Sequence, residues 1–188
     1  MERKHVLLLT FPAYGHIIPL LGFGKKVSQF HDVTFALSAD LIEQLRQREI
    51  ITEDEHVQFY GVPDGYSANT IMEPNDVKAF EKLRDKVHSG IQKLVASLTV
   101  RGKTPSECQG DGIKPVDVVI LDTTVSAAGI AAGCDEKGIP YYLFVSSSIG
   151  SSEASVLLLC FIPSDLIDAI FFARIPHRRL LQNIYKSN

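Results

Sequence analysis

Apolar residues in this chain form two kinds of run, and the alternation between them predicts the fold. Residues 5–10 are short, almost continuously apolar and followed by Phe11-Pro12, the pattern of a strand covered on both faces in a parallel sheet. Across residues 17–30, Ile17, Leu20, Leu21, Val27 and Phe30 fall near helical spacing, although Gly22 and Gly24 weaken the signal. Asp32 opens a second strand over 33–37. Leu41, Ile42 and Leu45 mark a helix over 39–48, and 57–62 reads as a third strand.

Residues 63–74 are rich in turn formers, among them Asp64-Gly65 and Asn69, and predict a loop. A long amphipathic helix follows over 77–98, where Phe80, Leu83, Val87, Ile91, Leu94, Val95 and Leu98 recur at three- and four-residue steps. After a polar stretch, 117–122 repeats the buried-strand pattern, 126–137 is a small-residue helix, and 141–145 is a strand after Gly138-Ile139-Pro140. The alternation predicts an α/β fold: a Rossmann-like parallel sheet flanked by helices with right-handed crossovers. No repeat at a solenoid period is visible. Residues 156–172 are apolar but interrupted by Pro163, Asp165 and Asp168, whereas a membrane span needs about 20 apolar residues. They read as a buried helix or as surface for a partner. The expected division is a Rossmann-like domain over 1–152 and a helical tail over 153–188.

Composition narrows the functional classes. With 188 residues, 45% hydrophobic and 22% charged, the chain resembles an ordinary single globular domain. A net charge of -3 gives no broad basic surface, so nucleic acid is not an expected partner. Cys108, Cys134 and Cys160 are odd in number and far apart, which fits neither a disulfide framework nor paired zinc ligands. The apolar run at 6–9 is too short for the core of a signal peptide. A cytoplasmic protein is expected.

In a doubly wound sheet, ligands bind outside the carboxyl ends of the strands, and three sequence features fall there. One is the turn from Phe11 through Tyr14, Gly15 and His16 to Pro19, where Gly15 lets backbone approach a ligand closely. Asp122 ends its strand ahead of Thr123-Thr124, and Ser146-Ser147-Ser148 ends another. A carboxylate on one imidazole nitrogen fixes the tautomer, leaving the other nitrogen to take a proton from a hydroxyl nucleophile. Each residue also has a plainer reading. His16 suits a surface position in a first turn, Asp122 a helix cap, and the serines a polar turn.

Other nucleotide motifs fail. Gly22-Phe23-Gly24 lacks the third glycine of the dinucleotide fingerprint, and Gly24-Lys25-Lys26 lacks both the leading glycine and the Ser or Thr of a P-loop. Neither an Asp-x-Asp pair nor a HExxH motif is present, so no bound metal is expected.

Together, the opening Gly15-His16-Ile17-Ile18-Pro19 turn after its strand and the block from Pro115 to Asp122, with Ala127-Ala128-Gly129, Gly138-Ile139-Pro140 and Phe144-Val145-Ser146, resemble the UDP-glycosyltransferases of GT-B fold. The resemblance covers about residues 4–152. It implies the N-terminal, acceptor-binding half of such an enzyme, and inverting, metal-independent transfer of a sugar to a hydroxyl of a small lipophilic acceptor. His16 is then the base and Asp122 its orienting carboxylate. Ser146 matches a position near the donor sugar and Gly15 one near the diphosphate, while Phe11, Tyr14 and the 63–74 loop shape the acceptor pocket.

The resemblance implies no cofactor, with UDP-sugar as the donor substrate. The family's C-terminal signature of the His-Cys-Gly-Trp-Asn kind is not found, and the sequence has no tryptophan. The expectation is therefore a truncated form whose donor-binding domain is absent, inactive alone, with exposed apolar surface among Val156, Leu157, Leu158, Leu159, Phe161, Phe171 and Phe172. The alternatives are a non-catalytic small-molecule binder derived from such an enzyme and a Rossmann-like protein unrelated to sugar transfer.

Overall fold

A computed structural model of the chain describes residues 2–67, 77–100, 113–125, 128–146 and 156–159. Six strands form one sheet: β1 (His5–Leu9), β2 (Asp32–Ser38), β3 (Val57–Val62), β4 (Val118–Asp122), β5 (Tyr141–Ser146) and β6 (Val156–Leu159). Four helices accompany them: α1 (Tyr14–Val27), α2 (Ala39–Gln47), α3 (Val77–Ser97) and α4 (Ala128–Lys137). The strand order is β3-β2-β1-β4-β5-β6. The first five are parallel, and β6 pairs antiparallel to β5.

The continuous apolar run of β1 has a physical cause in its register. Leu8 lies beside Phe35 on one side and Ile120 on the other, and these join Ile17, Leu20, Leu41 and Leu45 of α1 and α2 in one core. Leu7 and Leu9 point the opposite way, into a second core with Val87, Ile91 and Val95 of α3 and Ile130 of α4. A strand buried on both faces cannot alternate apolar with polar residues. The result is the expected Rossmann-like parallel sheet between helical layers.

Helix α1 begins three residues before the predicted start. Its N-cap is Ala13, whose carbonyl accepts from the backbone N–H groups of His16 and Ile17 at 2.9 Å each, and it has no side-chain cap. The usual Ser, Thr, Asp or Asn signal is therefore missing from the sequence. Gly24 is a packing requirement, since a Cβ there meets the Phe35 ring and lies 2.8 Å from Leu8 Cδ1. Gly22 faces open space.

One sequence expectation needs correction. Residues 156–159, assigned to a helical tail, form β6, and Ser146, Val145, Phe144 and Leu143 pair with Val156, Leu157, Leu158 and Leu159. Four successive apolar residues carry no periodicity that separates strand from helix, and the open edge of β5 supplies the pairing that selects a strand. The sheet thus continues past the expected boundary at 152. The remainder of the expected tail, 153–155 and 160–188, the exposure of its apolar residues and loop positions 68–74 lie outside the described residues.

Candidate active site

Chain connections run from β1 outward to β2 and β3 on one side, and β4 with β5 lie on the other. The boundary between β1 and β4 is where strand order reverses, and the crevice above their carboxyl ends is the general ligand site of such sheets. His16, in the first turn of α1 after β1, and Asp122, the last residue of β4, meet there. His16 Nδ1 lies 2.9 Å from Asp122 Oδ2. Residues 106 positions apart are brought into hydrogen-bond contact by adjacent parallel strands.

Asp122 is fully buried, whereas the His16 side chain keeps 27% of its surface exposed. An ionised carboxylate only accepts, so this bond requires a proton on Nδ1 and leaves Nε2 as the nitrogen able to take one. Asp122 also accepts at Oδ1 from the Thr124 backbone N–H at 2.8 Å and from the Thr124 hydroxyl at 2.5 Å. At Oδ2 it accepts from the buried Thr10 hydroxyl at 3.2 Å. Burying a carboxylate is costly unless donors replace water, and these contacts meet that condition. The turn is tied down further by Thr123 N–H to the Phe144 carbonyl of β5 at 3.0 Å, and by contact between His88 Nε2 of α3 and the Thr124 carbonyl at 3.0 Å.

The other predicted residues fall around this pair to different degrees. Phe11 is buried, with its ring centroid 6.2 Å from the His16 ring in an edge-on arrangement. Tyr14 opens α1, is exposed, and accepts a hydrogen bond at its hydroxyl from Arg48 Nη1 at 2.9 Å. Gly15 has no atom within 4 Å of where a Cβ would stand, so space is open beside its backbone. Ser146 ends β5, and its side chain lies outside the described residues. In the described part of the 63–74 loop, Asp64 accepts from the Ser38 hydroxyl and from the Tyr66 backbone N–H, and Tyr66 packs against the α1 and α2 core.

Sequence reasoning assigned Phe80 only to the apolar stripe of α3. Its ring centroid lies 5.6 Å from that of Phe11, and it remains exposed. Thr10, Thr124 and Arg48 were missed because a single threonine or arginine carries no spacing signal. Among the described residues, no group of three or more His, Cys, Asp and Glu is placed to hold a metal ion. No described helix is long and apolar enough to cross a membrane.

The fold is a Rossmann-like parallel sheet flanked by helices that matches GT-B glycosyltransferase structures. Among solved structures, the chain is similar to Arabidopsis thaliana UGT89C1 complexed with quercetin, with a TM-score of 0.53 and 18% identity, covering 74% of this chain and 34% of that one. It is also similar to LpCGTa in complex with UDP, with a TM-score of 0.55 and 19% identity, covering 79% and 31%. These likenesses establish the fold.

The sequence relatives are plant UDP-glycosyltransferases, matched over the N-terminal part of this chain. UDP-glycosyltransferase 74D1 of Arabidopsis thaliana is 26% identical over 133 residues, 69% of this chain and 28% of the relative. The 7-deoxyloganetin glucosyltransferase of Gardenia jasminoides is 27% identical over 153 residues, 78% and 30% respectively. The chain thus spans less than a third of the length of these relatives. No family model matches it.

Proposed function

We propose that this chain supplies the acceptor-binding half of a UDP-sugar-dependent glycosyltransferase, with His16 as the general base. The carrying observation is the 2.9 Å contact between His16 Nδ1 and the buried Asp122 carboxylate at the crevice between β1 and β4. His16 Nε2 takes the proton from an acceptor hydroxyl as its oxygen attacks the anomeric carbon. The new bond forms from that oxygen to the carbon while the carbon–oxygen bond to the UDP group breaks on the opposite face, so configuration inverts. Asp122 stabilises the resulting imidazolium and remains ionised.

The donor's diphosphate is assigned to the start of α1. That end has no side-chain cap and no acidic residue in its first turn, and open space lies beside Gly15. Exposed backbone N–H groups and the positive end of the helix dipole favour an anion there. Phe11, Tyr14 and Phe80 form the acceptor wall, which suits a small lipophilic molecule, and Ser146 is assigned to the donor sugar. Groups for the uracil and ribose come from a donor-binding domain, in the same chain or a separate one. The buried, unpaired Cys134 thiol suits a cytosolic setting.

Titration of the chain with an aromatic alcohol and with UDP-glucose tests the division of labour. Acceptor binding at micromolar to millimolar levels, with weak donor binding, is expected. Transfer should appear once a donor-binding domain is joined or added. Asp122→Asn should slow that transfer, because an amide that presents its donor to the ring selects the wrong tautomer. Acceptor binding without transfer under those conditions would instead support a non-catalytic binder, and binding of neither ligand would set the sugar-transfer reading aside.

A further inference from the structure

We infer that Thr10 is a positioning residue for the His16–Asp122 pair, its hydroxyl holding the carboxylate oxygen on which the histidine tautomer depends. The inference rests on the base reading of His16 and deepens it.

Thr10 follows the last residue of β1 and is only 3% exposed. An apolar side chain is the ordinary occupant of such a position, as at Leu7, Leu8 and Leu9 just before it. Its hydroxyl has two acceptors in range, Asp122 Oδ2 at 3.2 Å and the Phe11 carbonyl at 3.5 Å. The nearer one is a charged oxygen, which binds a donor about twice as strongly as a neutral one. Thr10 and His16 therefore meet at the same Asp122 oxygen, while Thr124 holds the other through its backbone N–H and hydroxyl.

The anchors differ in what they fix. Thr124 is two residues from Asp122 and moves with the same turn. Thr10 opens the β1–α1 connection, which leads directly into the helix that carries His16. Its bond therefore ties the carboxylate to the connection that positions the start of the histidine's helix, and its loss lets Oδ2 drift relative to Nδ1. A competing effect runs the other way, since removing a donor concentrates negative charge on Oδ2 and strengthens the remaining bond to His16. Pre-organisation in a buried site outweighs this charge effect, because a displaced acceptor loses tautomer control altogether.

The test is the imidazole ring spectrum of the 188-residue chain, recorded for wild type, Thr10→Val and Thr10→Ser. Wild type should show a His16 Nδ1 proton in slow exchange. Thr10→Val, which keeps shape and loses the hydroxyl, should raise the Nε2–H population about tenfold, the scale of a lost hydrogen bond to a charged group. Thr10→Ser should restore the wild-type spectrum. With a donor domain supplied, the same valine variant should lower kcat about tenfold with acceptor KM unchanged.

An unchanged tautomer in Thr10→Val, or transfer at or above the wild-type rate, overturns the inference while leaving His16 as base. Absence of the Nδ1 proton in wild type overturns the base reading itself. If the valine variant does not fold, Thr10→Ala removes the hydroxyl at smaller volume. The wild-type Thr10 hydroxyl proton is a further check independent of any variant. Protection from exchange is expected, and free exchange with water overturns the inference.

Discussion

Phe80, in the first turn of α3, sets its ring 5.6 Å from Phe11, which in turn stands edge-on to the His16 ring at 6.2 Å. Two elements far apart in sequence thus build one aromatic wall leading to the proposed base. Phe80 is 43% exposed, so its loss removes contact surface without opening a core. Phe80→Ala should weaken binding of a planar aromatic alcohol by about tenfold, in line with roughly 0.5–1.5 kcal/mol for an aromatic pair together with lost apolar contact. Calorimetric titration checks this, and thermal stability should change little.

Two glycines of α1 should respond in opposite directions to the same substitution. Gly22→Ala adds a methyl into open space and gains helix propensity, so it should stabilise by about 0.5–1 kcal/mol. Gly24→Ala drives a methyl into Phe35 and Leu8, and overpacking should cost about 1–3 kcal/mol. Urea unfolding of both variants decides the matter. Equal effects would mean that α1 does not lie against β2 as described.

The pH dependence of stability should carry a signature of His5. Burial lowers its pKa from 6.5, against the opposing effect of the Pro115 and Lys114 carbonyls. Its ring also contacts the Thr34 hydroxyl at 2.8 Å. Because the folded value is the lower one, the unfolded chain binds the proton first as pH falls. This contribution is intact above about pH 6.5 and declines as pH drops toward the folded pKa. Unfolding free energies between pH 7.5 and 5 should fall more steeply in wild type than in His5→Gln.

Cys134 should be chemically quiet. Burial, and secondarily the charge of Asp135, pushes its thiol up to about 11, and the thiolate is the reactive form. Mass spectrometry after alkylation at pH 8 should find Cys134 unmodified in the folded chain and modified in urea. Rapid native labelling would contradict the packing of α4 against α3.

Much of this architecture was legible in the sequence because buried strands and amphipathic helices write their periods directly. The run at 5–10 announced β1, and the spacing from Val87 to Val95 announced the buried face of α3. The meeting of His16 and Asp122 was reachable because one stands in the first turn of the helix after β1 and the other ends β4 at the same sheet edge, and because the two family-like blocks occur in order. The start of α1 was not legible, since Ala13 offers no capping side chain. Phe80 carries no separate signal in the sequence, because a partly exposed residue and a buried one occupy the same helical stripe. Thr10 was hidden for a related reason, as its role depends on Asp122, 112 residues away. Strand β6 was misread as helix because its four apolar residues suit either state, and the choice is made by the edge of β5.

The central claim, that His16 is the base, is tested most directly by comparing wild type and His16→Ala in transfer to a weakly acidic alcohol, with a donor-binding domain supplied at saturating donor. Loss of a positioned histidine base should slow transfer by about 10²–10⁴-fold while acceptor affinity stays nearly constant. The loss should be smaller for an acidic phenol, which needs less help in giving up its proton. Equal rates on the weakly acidic alcohol, at matched folding, would contradict the account and leave the turn from Gly15 to Pro19 as scaffold alone.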